Sequence, residues 1–176
     1  HAQGLASHPA FQDAQGRPLL DTSALFYDGN SQGAIAGGGL AAFAQDYTRA
    51  VLGVPGMNYS TLLRRSVDFD QFFAALRFSY DDPYEIPLDI ALIQMLWDRG
   101  EANGYLQHLS SDPYPNTPTH SAMYLMAFGD HQVANVGTEV ASRTIGARVR
   151  QPALREGRAT AVEPLYGLAP VPSFPF

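Results

Sequence analysis

The chain has 176 residues, enough for one domain with a substantial core. It is 45% hydrophobic and 16% charged, a globular balance. Its net charge of −6, with Arg64-Arg65 as the one basic doublet, argues against a nucleic-acid partner. The absence of cysteine excludes disulfides, thiolate catalysis and Cys-based zinc sites. No apolar run reaches the ~18 residues of a membrane-crossing helix. No signal peptide is visible, so secreted and cytoplasmic locations both stay open.

Residues 1–22 carry little periodicity and predict a connecting arm. Thr22 to Asp28 follows as a short strand, with Leu25, Phe26 and Tyr27 as the apolar run of a buried parallel strand. The pattern from Gln32 to Asp46 predicts a helix. Gly37, Gly38 and Gly39 each weaken an isolated helix by roughly 1 kcal/mol relative to Ala. They also let a helix lie close on a sheet. Thr48 to Gly56 predicts a second strand, ended by Pro55 and Gly56. Strand, helix, strand makes a βαβ unit with a right-handed parallel crossover.

Residues 57–118 change character and predict a helical insertion over 62–65, 69–78, 87–97 and 102–109. Phe69, Phe72, Phe73 and Leu76 recur at helical spacing, as do Leu88, Leu92, Met95 and Leu96. Both stripes read as core, with a cap over an apolar pocket as the alternative. Asp68 marks a helix start. With Asp70 it offers too few ligands for a metal, so no metal site is expected.

Ser121 to Phe128 is the most apolar predicted strand and runs into Gly129-Asp130-His131-Gln132-Val133. Asn135 to Ile145 reads as a helix capped by Asn135 and closed by Gly146. Residues 147–158 are basic for this chain, 160–168 predict a fourth strand, and 169–176 read as an extended tail.

The chemistry concentrates at Gly29-Asn30-Ser31-Gln32-Gly33, a G-x-S-x-G between an apolar strand and a small-residue helix. A sharp turn there pushes the Ser31 hydroxyl outward, and Gly29 and Gly33 remove Cβ atoms that would clash. The Gln32 N–H, at a helix N-terminus, suits an oxyanion hole. The alternative is a Gly-rich turn that binds a phosphate or nothing. Asp130 stands at the C-terminal end of the third strand, where functional residues of parallel sheets collect. Its alternative role is a cap or turn former.

In this order, residues 23–56 and 120–146 resemble the second half of an α/β-hydrolase, closest to bacterial lipases and esterases. Gly129 to Val133 resembles the turn in which that family's acid is followed three residues on by Val. The resemblance implies an α/β fold: a parallel sheet with flanking helices and a helical cap insertion at 57–118, the whole 1–176 being a single truncated domain. It also implies hydrolysis of a small carboxylic ester through an acyl-enzyme on Ser31, with Asp130 as the orienting acid and no cofactor.

The family places its catalytic His after the last strand, whereas no His follows His131 here. The expectation is a piece of a larger hydrolase or a short form with its base elsewhere. His131, His120 and His108 are the candidates, with His131 chosen. A base from a second chain is equally open. A catalytically incomplete binding or structural fragment is the alternative function. A sheet lacking its first strands exposes an edge, so a homo-oligomer or a complementing chain is expected.

Overall fold

The computed structural model describes residues 2–159 and 161–171. It has α/β character, with a three-stranded parallel sheet in the order β1-β2-β3 and flanking helices. The arm begins with α1 (Ala2–Leu5), a 3-10 turn at Pro9–Phe11 and a bridge between Gln12 and Pro18. β1 (Tyr27–Asn30) then leads directly into α2 (Gln32–Phe43) and β2 (Arg49–Gly53).

β1 is shorter than expected and starts later. Its register begins at Tyr27 opposite Ala50, and β2 itself starts at Arg49. Leu25 lies beyond the start of β2, and Phe26, in register with Arg49, stays outside the ladder and is exposed. An apolar run alone does not make a strand; pairing does.

The segment 57–118 is largely helical, with α3 (Tyr59–Leu62), α4 (Asp70–Ser79), α5 (Ile86–Trp97) and α6 (Gln107–Ser110). Its last part is integral to the main core. Ala102, Leu106 and Leu109 join Ala34, Ala41, Ala50 and Leu52 in one buried cluster. Of the three glycines only Gly37 lies against the sheet as expected; Gly38 lies against the helical segment instead, and Gly39 meets only Tyr105, at 3.5 Å. A Cβ on Gly37 would lie 2.6 Å from Tyr27 Cε1, and one on Gly38 would lie 3.2 Å from both Ala102 Cβ and Leu106 Cδ2.

The two apolar stripes are not core. α4 buries none of its residues, although Phe73 carries the Arg64 guanidinium 4.5 Å above its ring. In α5 the buried residues are Ile86, Ile90 and Gln94, while Leu88, Leu92, Met95 and Leu96 are exposed. Hydrogen bonding explains which side turned inward. Gln94 Oε1 accepts from Ser60 N at 2.8 Å, and Gln94 Nε2 donates to Asp98 and to buried Glu101. Glu101 Oε1 also accepts from Tyr59 N at 3.0 Å. These bonds satisfy the free N–H groups at the start of α3 and fix the rotation of α5.

β3 (Ser121–Leu125) is followed by α7 (Asn135–Thr144). α7 joins the main core through Ala141, and Gly146 closes it at φ 66° as its spacing predicts. Asn135 does not cap it: Ala134 holds that position, and Asn135 is the first helical residue. The expected fourth strand is absent over 161–168, where turns and bends stand instead. Thr160, its first residue, and 172–176 of the expected tail lie outside the described residues.

The sheet has one covered face. Tyr27, Gly29, Ala50, Leu52, Ala122 and Tyr124 share it by register, and the core cluster with α2, α6 and α7 lies against it. The other face presents Met123 and Leu125, both at least half exposed, beside Val51. No helix of the described residues is long and apolar enough to cross a membrane.

Candidate functional site

Ser31 changes the chain from strand to helix within one residue. On one side its N–H donates to Gly53 O at 2.8 Å, which ties it to the end of β2. On the other its carbonyl accepts from Ala34 N at 2.8 Å and Ile35 N at 2.9 Å, which starts α2. The strand ladder and the helix together hold it at φ 54°, ψ −121°. A side chain rarely adopts that conformation, and such strain persists only where the surroundings over-determine it.

Serine at a helix N-cap ordinarily spends its hydroxyl on an exposed N–H of the first turn. Ser31 makes no such bond and its side chain is exposed. Its Oγ has no hydrogen-bond partner among the described residues. Gln32 and Gly33, the first residues of α2, likewise have N–H groups without a backbone partner there. A hydroxyl and free N–H groups thus stand together at the positive end of a 12-residue helix.

The two flanking glycines are unequal. A Cβ on Gly29 would fall 2.5 Å from the Gly33 carbonyl oxygen and 2.7 Å from Tyr27 Cε1. A Cβ on Gly33 would meet only Tyr27 Oη, at 4.0 Å. The expectation that both relieve a clash is therefore corrected at Gly33. That residue's role is its carbonyl, which accepts a 2.7 Å hydrogen bond from the Tyr27 hydroxyl.

Asp130 lies in the turn after β3, at the same edge of the sheet as Ser31 because the strands are parallel. Its Oδ1 accepts from Gln132 N at 2.8 Å and Val133 N at 3.0 Å. Asp130 thus performs the turn-forming role. Its Oδ2 has no hydrogen-bond partner among the described residues. Asn135 braces the turn, accepting from Gly129 N at 2.8 Å and donating to Ala127 O at 2.6 Å. This bracing is what the predicted helix-cap residue does in place of capping. A small apolar cluster of Ile35, Leu62 and Val133, with Val54 against it, joins the first turn of α2 to the Asp130 turn.

Ser31 and Asp130 leave β1 and β3, which are separated by β2. No hydrogen bond joins their side chains among the described residues, and no described histidine bridges them. His120 precedes Ser121, which pairs with Arg49 at the start of β2, so it stands at the opposite edge. It is buried, and neither ring nitrogen has a hydrogen-bond partner among the described residues. His108 is beside it in the fold, since Leu109 O accepts from His120 N, and its Nδ1 lies 2.7 Å from Asp112 O. His8 Nδ1 accepts from Ala10 N in the arm.

Of His108, His120 and His131, only His131 stands at the Ser31 edge. It is exposed, its carbonyl accepts from Val67 N at 2.9 Å, and its ring makes no hydrogen bond to Asp130. The structure therefore brings Ser31, Gln32, Asp130 and His131 to one edge without joining them through hydrogen bonds.

One strained residue at this edge was invisible in the sequence. Val54, just after β2, holds φ 49° while its N–H donates to Leu125 O at 2.7 Å. A β-branched residue in that conformation is a genuine outlier. The only sequence signal was its place directly before Pro55-Gly56.

No group of three or more potential metal ligands occurs among the described residues. A cavity of about 1180 Å³ runs along β3, lined by Phe26, Met123, Leu125 and Leu168 among others. A second, of about 540 Å³, lies between Arg64, Arg65 and Ile90. Neither includes Ser31 or Asp130. No protein-family model matches the chain, and no curated protein or solved structure matches it either.

Proposed function

We propose that this protein is a serine hydrolase of α/β-hydrolase type that cleaves small carboxylic esters. The observation that carries the reading is Ser31 itself, strained at φ 54° with its hydroxyl unused for capping. Serine is a poor nucleophile until a base takes its proton. In the proposed reaction Ser31 Oγ attacks the ester carbonyl carbon, and its proton passes to an imidazole. The Gln32 N–H stabilises the developing oxyanion. The imidazole protonates the departing alkoxide, leaving an acyl group on Ser31. Water, deprotonated by the same imidazole, releases the acid. Asp130 orients the imidazolium through its free Oδ2. His131 is the assigned base because, of the three candidates, it stands at this edge. No cofactor or metal enters the scheme.

A second reading has its own support. Asp130 Oδ1 is committed to Gln132 and Val133, and the His131 ring is unbonded. Met123 and Leu125 on one face of the sheet are also half exposed among the described residues, whereas parallel sheets are ordinarily covered on both faces. On this reading the chain is a binding or structural unit that a second copy or another chain completes along the sheet edges.

Hydrolysis of a short p-nitrophenyl ester separates the two, with Ser31→Ala as control. The hydrolase reading expects turnover that the Ser31→Ala change abolishes, together with covalent fluorophosphonate labelling at Ser31. Equal rates in both proteins, with no labelling, would leave only the second reading.

A further inference from the structure

We infer that α5 is a homodimerisation helix, on which a second copy of this chain lies antiparallel with the two-fold axis passing at Leu92. This goes beyond the hydrolase reading and does not depend on it. A helix that is apolar all round is normally buried all round. α5 buries only Ile86, Ile90 and Gln94. At about 100° per residue, Leu88, Leu92, Met95 and Leu96 lie on the side away from those three. Their exposures are 62%, 57%, 68% and 65%. Four large apolar side chains in one continuous stripe form a patch of the kind that marks an interaction site.

The ends of the stripe identify the occupant. Glu85 lies seven residues before Leu92 and Arg99 seven after it, and both fall in the same roughly 100° arc as the apolar four. Helical backbone reaches both ends, with Glu85 at φ −81°, ψ −35° and Arg99 N donating to Leu96 O. The spacing 85, 88, 92, 95, 99 alternates three and four, the seam of a packed helix pair. Both charged residues are exposed, and neither has an ion-pair partner among the described residues. Asp98, the other charge at that end, is turned inward to Gln94 and Asn103.

The stripe is therefore acidic at one end, basic at the other and apolar between. An antiparallel second copy matches it about Leu92. Glu85 then faces the partner copy's basic end, and Leu88 faces its Leu96 position. A parallel copy would set like charges together at each end.

The chain lacks cysteine, so a single introduced thiol reports on one position. Helices packed 8–10 Å apart bring facing Cα atoms to about 4–5 Å, within disulfide reach. Leu92→Cys, under mild oxidation, is expected to give a covalent dimer, while Ser7→Cys on the exposed arm is not. Sedimentation equilibrium of the wild type is expected to give twice the chain mass at tens of micromolar. Arg99→Glu and Glu85→Arg should each weaken the dimer at least tenfold. Carrying both on one chain restores opposite signs at both ends and should recover affinity to within a few-fold. Circular dichroism confirms that each surface variant is folded.

A wild type that stays monomeric at 100 μM overturns the proposal. So does a doubly reversed variant no tighter than the single ones, or a dimer indifferent to all three changes, as pairing through a sheet edge would be. Binding of the monomer to phosphatidylcholine–phosphatidylglycerol vesicles, lost in Leu92→Glu, would make a lipid surface the occupant instead.

Discussion

The Tyr27 hydroxyl donates a 2.7 Å hydrogen bond to the carbonyl oxygen of Gly33. The bond spans the turn that contains Ser31, from the first residue of β1 to the first turn of α2. The Tyr27 ring also stacks on Tyr47 at 5.8 Å and lies beside the Gly37 face of α2. Tyr27→Phe keeps the ring and removes the bond. A net loss of about 1 kcal/mol is expected from urea denaturation. If Ser31 is the nucleophile, fluorophosphonate labelling should also slow, because the turn is less firmly held. Unchanged stability would mean that the bond does not brace the turn.

The two elbow glycines should respond oppositely to alanine. Gly29→Ala sets a methyl group 2.5 Å from a backbone oxygen that belongs to α2 and cannot simply rotate away. Overpacking of this sort costs roughly 1–3 kcal/mol. Gly33→Ala meets only open space and a distant hydroxyl, and in a helix alanine is favoured over glycine by about 1 kcal/mol. Thermal denaturation should therefore show Gly29→Ala melting lower than the wild type and Gly33→Ala melting at or above it. Equal destabilisation by both changes would contradict the inequality.

Strain at Ser31 has a signature of its own. Glycine adopts positive φ without steric cost, so Ser31→Gly releases strain that Ser31→Ala retains. About 1–2 kcal/mol of added stability is expected for the glycine variant over the alanine variant and, if Ser31 is the nucleophile, loss of ester hydrolysis in both. Chemical denaturation of the three proteins side by side checks this. A glycine variant no more stable than the alanine variant would show that the φ of 54° stores nothing.

The strand–turn–helix order, the parallel sheet and the elbow were legible because each is written locally. Apolar runs, glycine placement and helical spacing all lie within about a dozen residues. What was not legible depended on distant partners. β1 begins to pair only at Tyr27, opposite Ala50, although its apolar run begins at Leu25. The buried side of α5 was set by Ser60 and Glu101 bonding to Gln94, so a polar residue went inward and the apolar stripe outward. Asn135 looked like a cap, but the 127–129 turn that it braces becomes its neighbour only after β3 ends. The strain at Val54 left no compositional trace, because valine is a common strand residue. Motif and position singled out Ser31, Gln32 and Asp130, and the structure brings them to one edge of the sheet. No histidine could be assigned to them from the sequence, because an imidazole's partners are set by tertiary placement.

Tyr124 on β3 carries a hydroxyl that is buried without a hydrogen-bond partner among the described residues. Burial pushes its phenol well above the ordinary tyrosine range, because the phenolate loses its hydration. The sign follows from linkage. Above the ordinary tyrosine pKa of ~10, an unfolded chain ionises at this residue while the folded one stays neutral, so stability falls as pH rises. Tyr124→Phe removes both penalties. At pH 7 the variant is expected to be about 1 kcal/mol more stable, since an unpaired buried hydroxyl contributes nothing and costs desolvation. Between pH 7 and roughly 10.5 the wild type should lose more stability than the variant does. Urea denaturation of both proteins at the two pH values makes the comparison. A variant less stable at pH 7, with the same alkaline slope as the wild type, would mean that the Tyr124 hydroxyl is hydrogen-bonded after all.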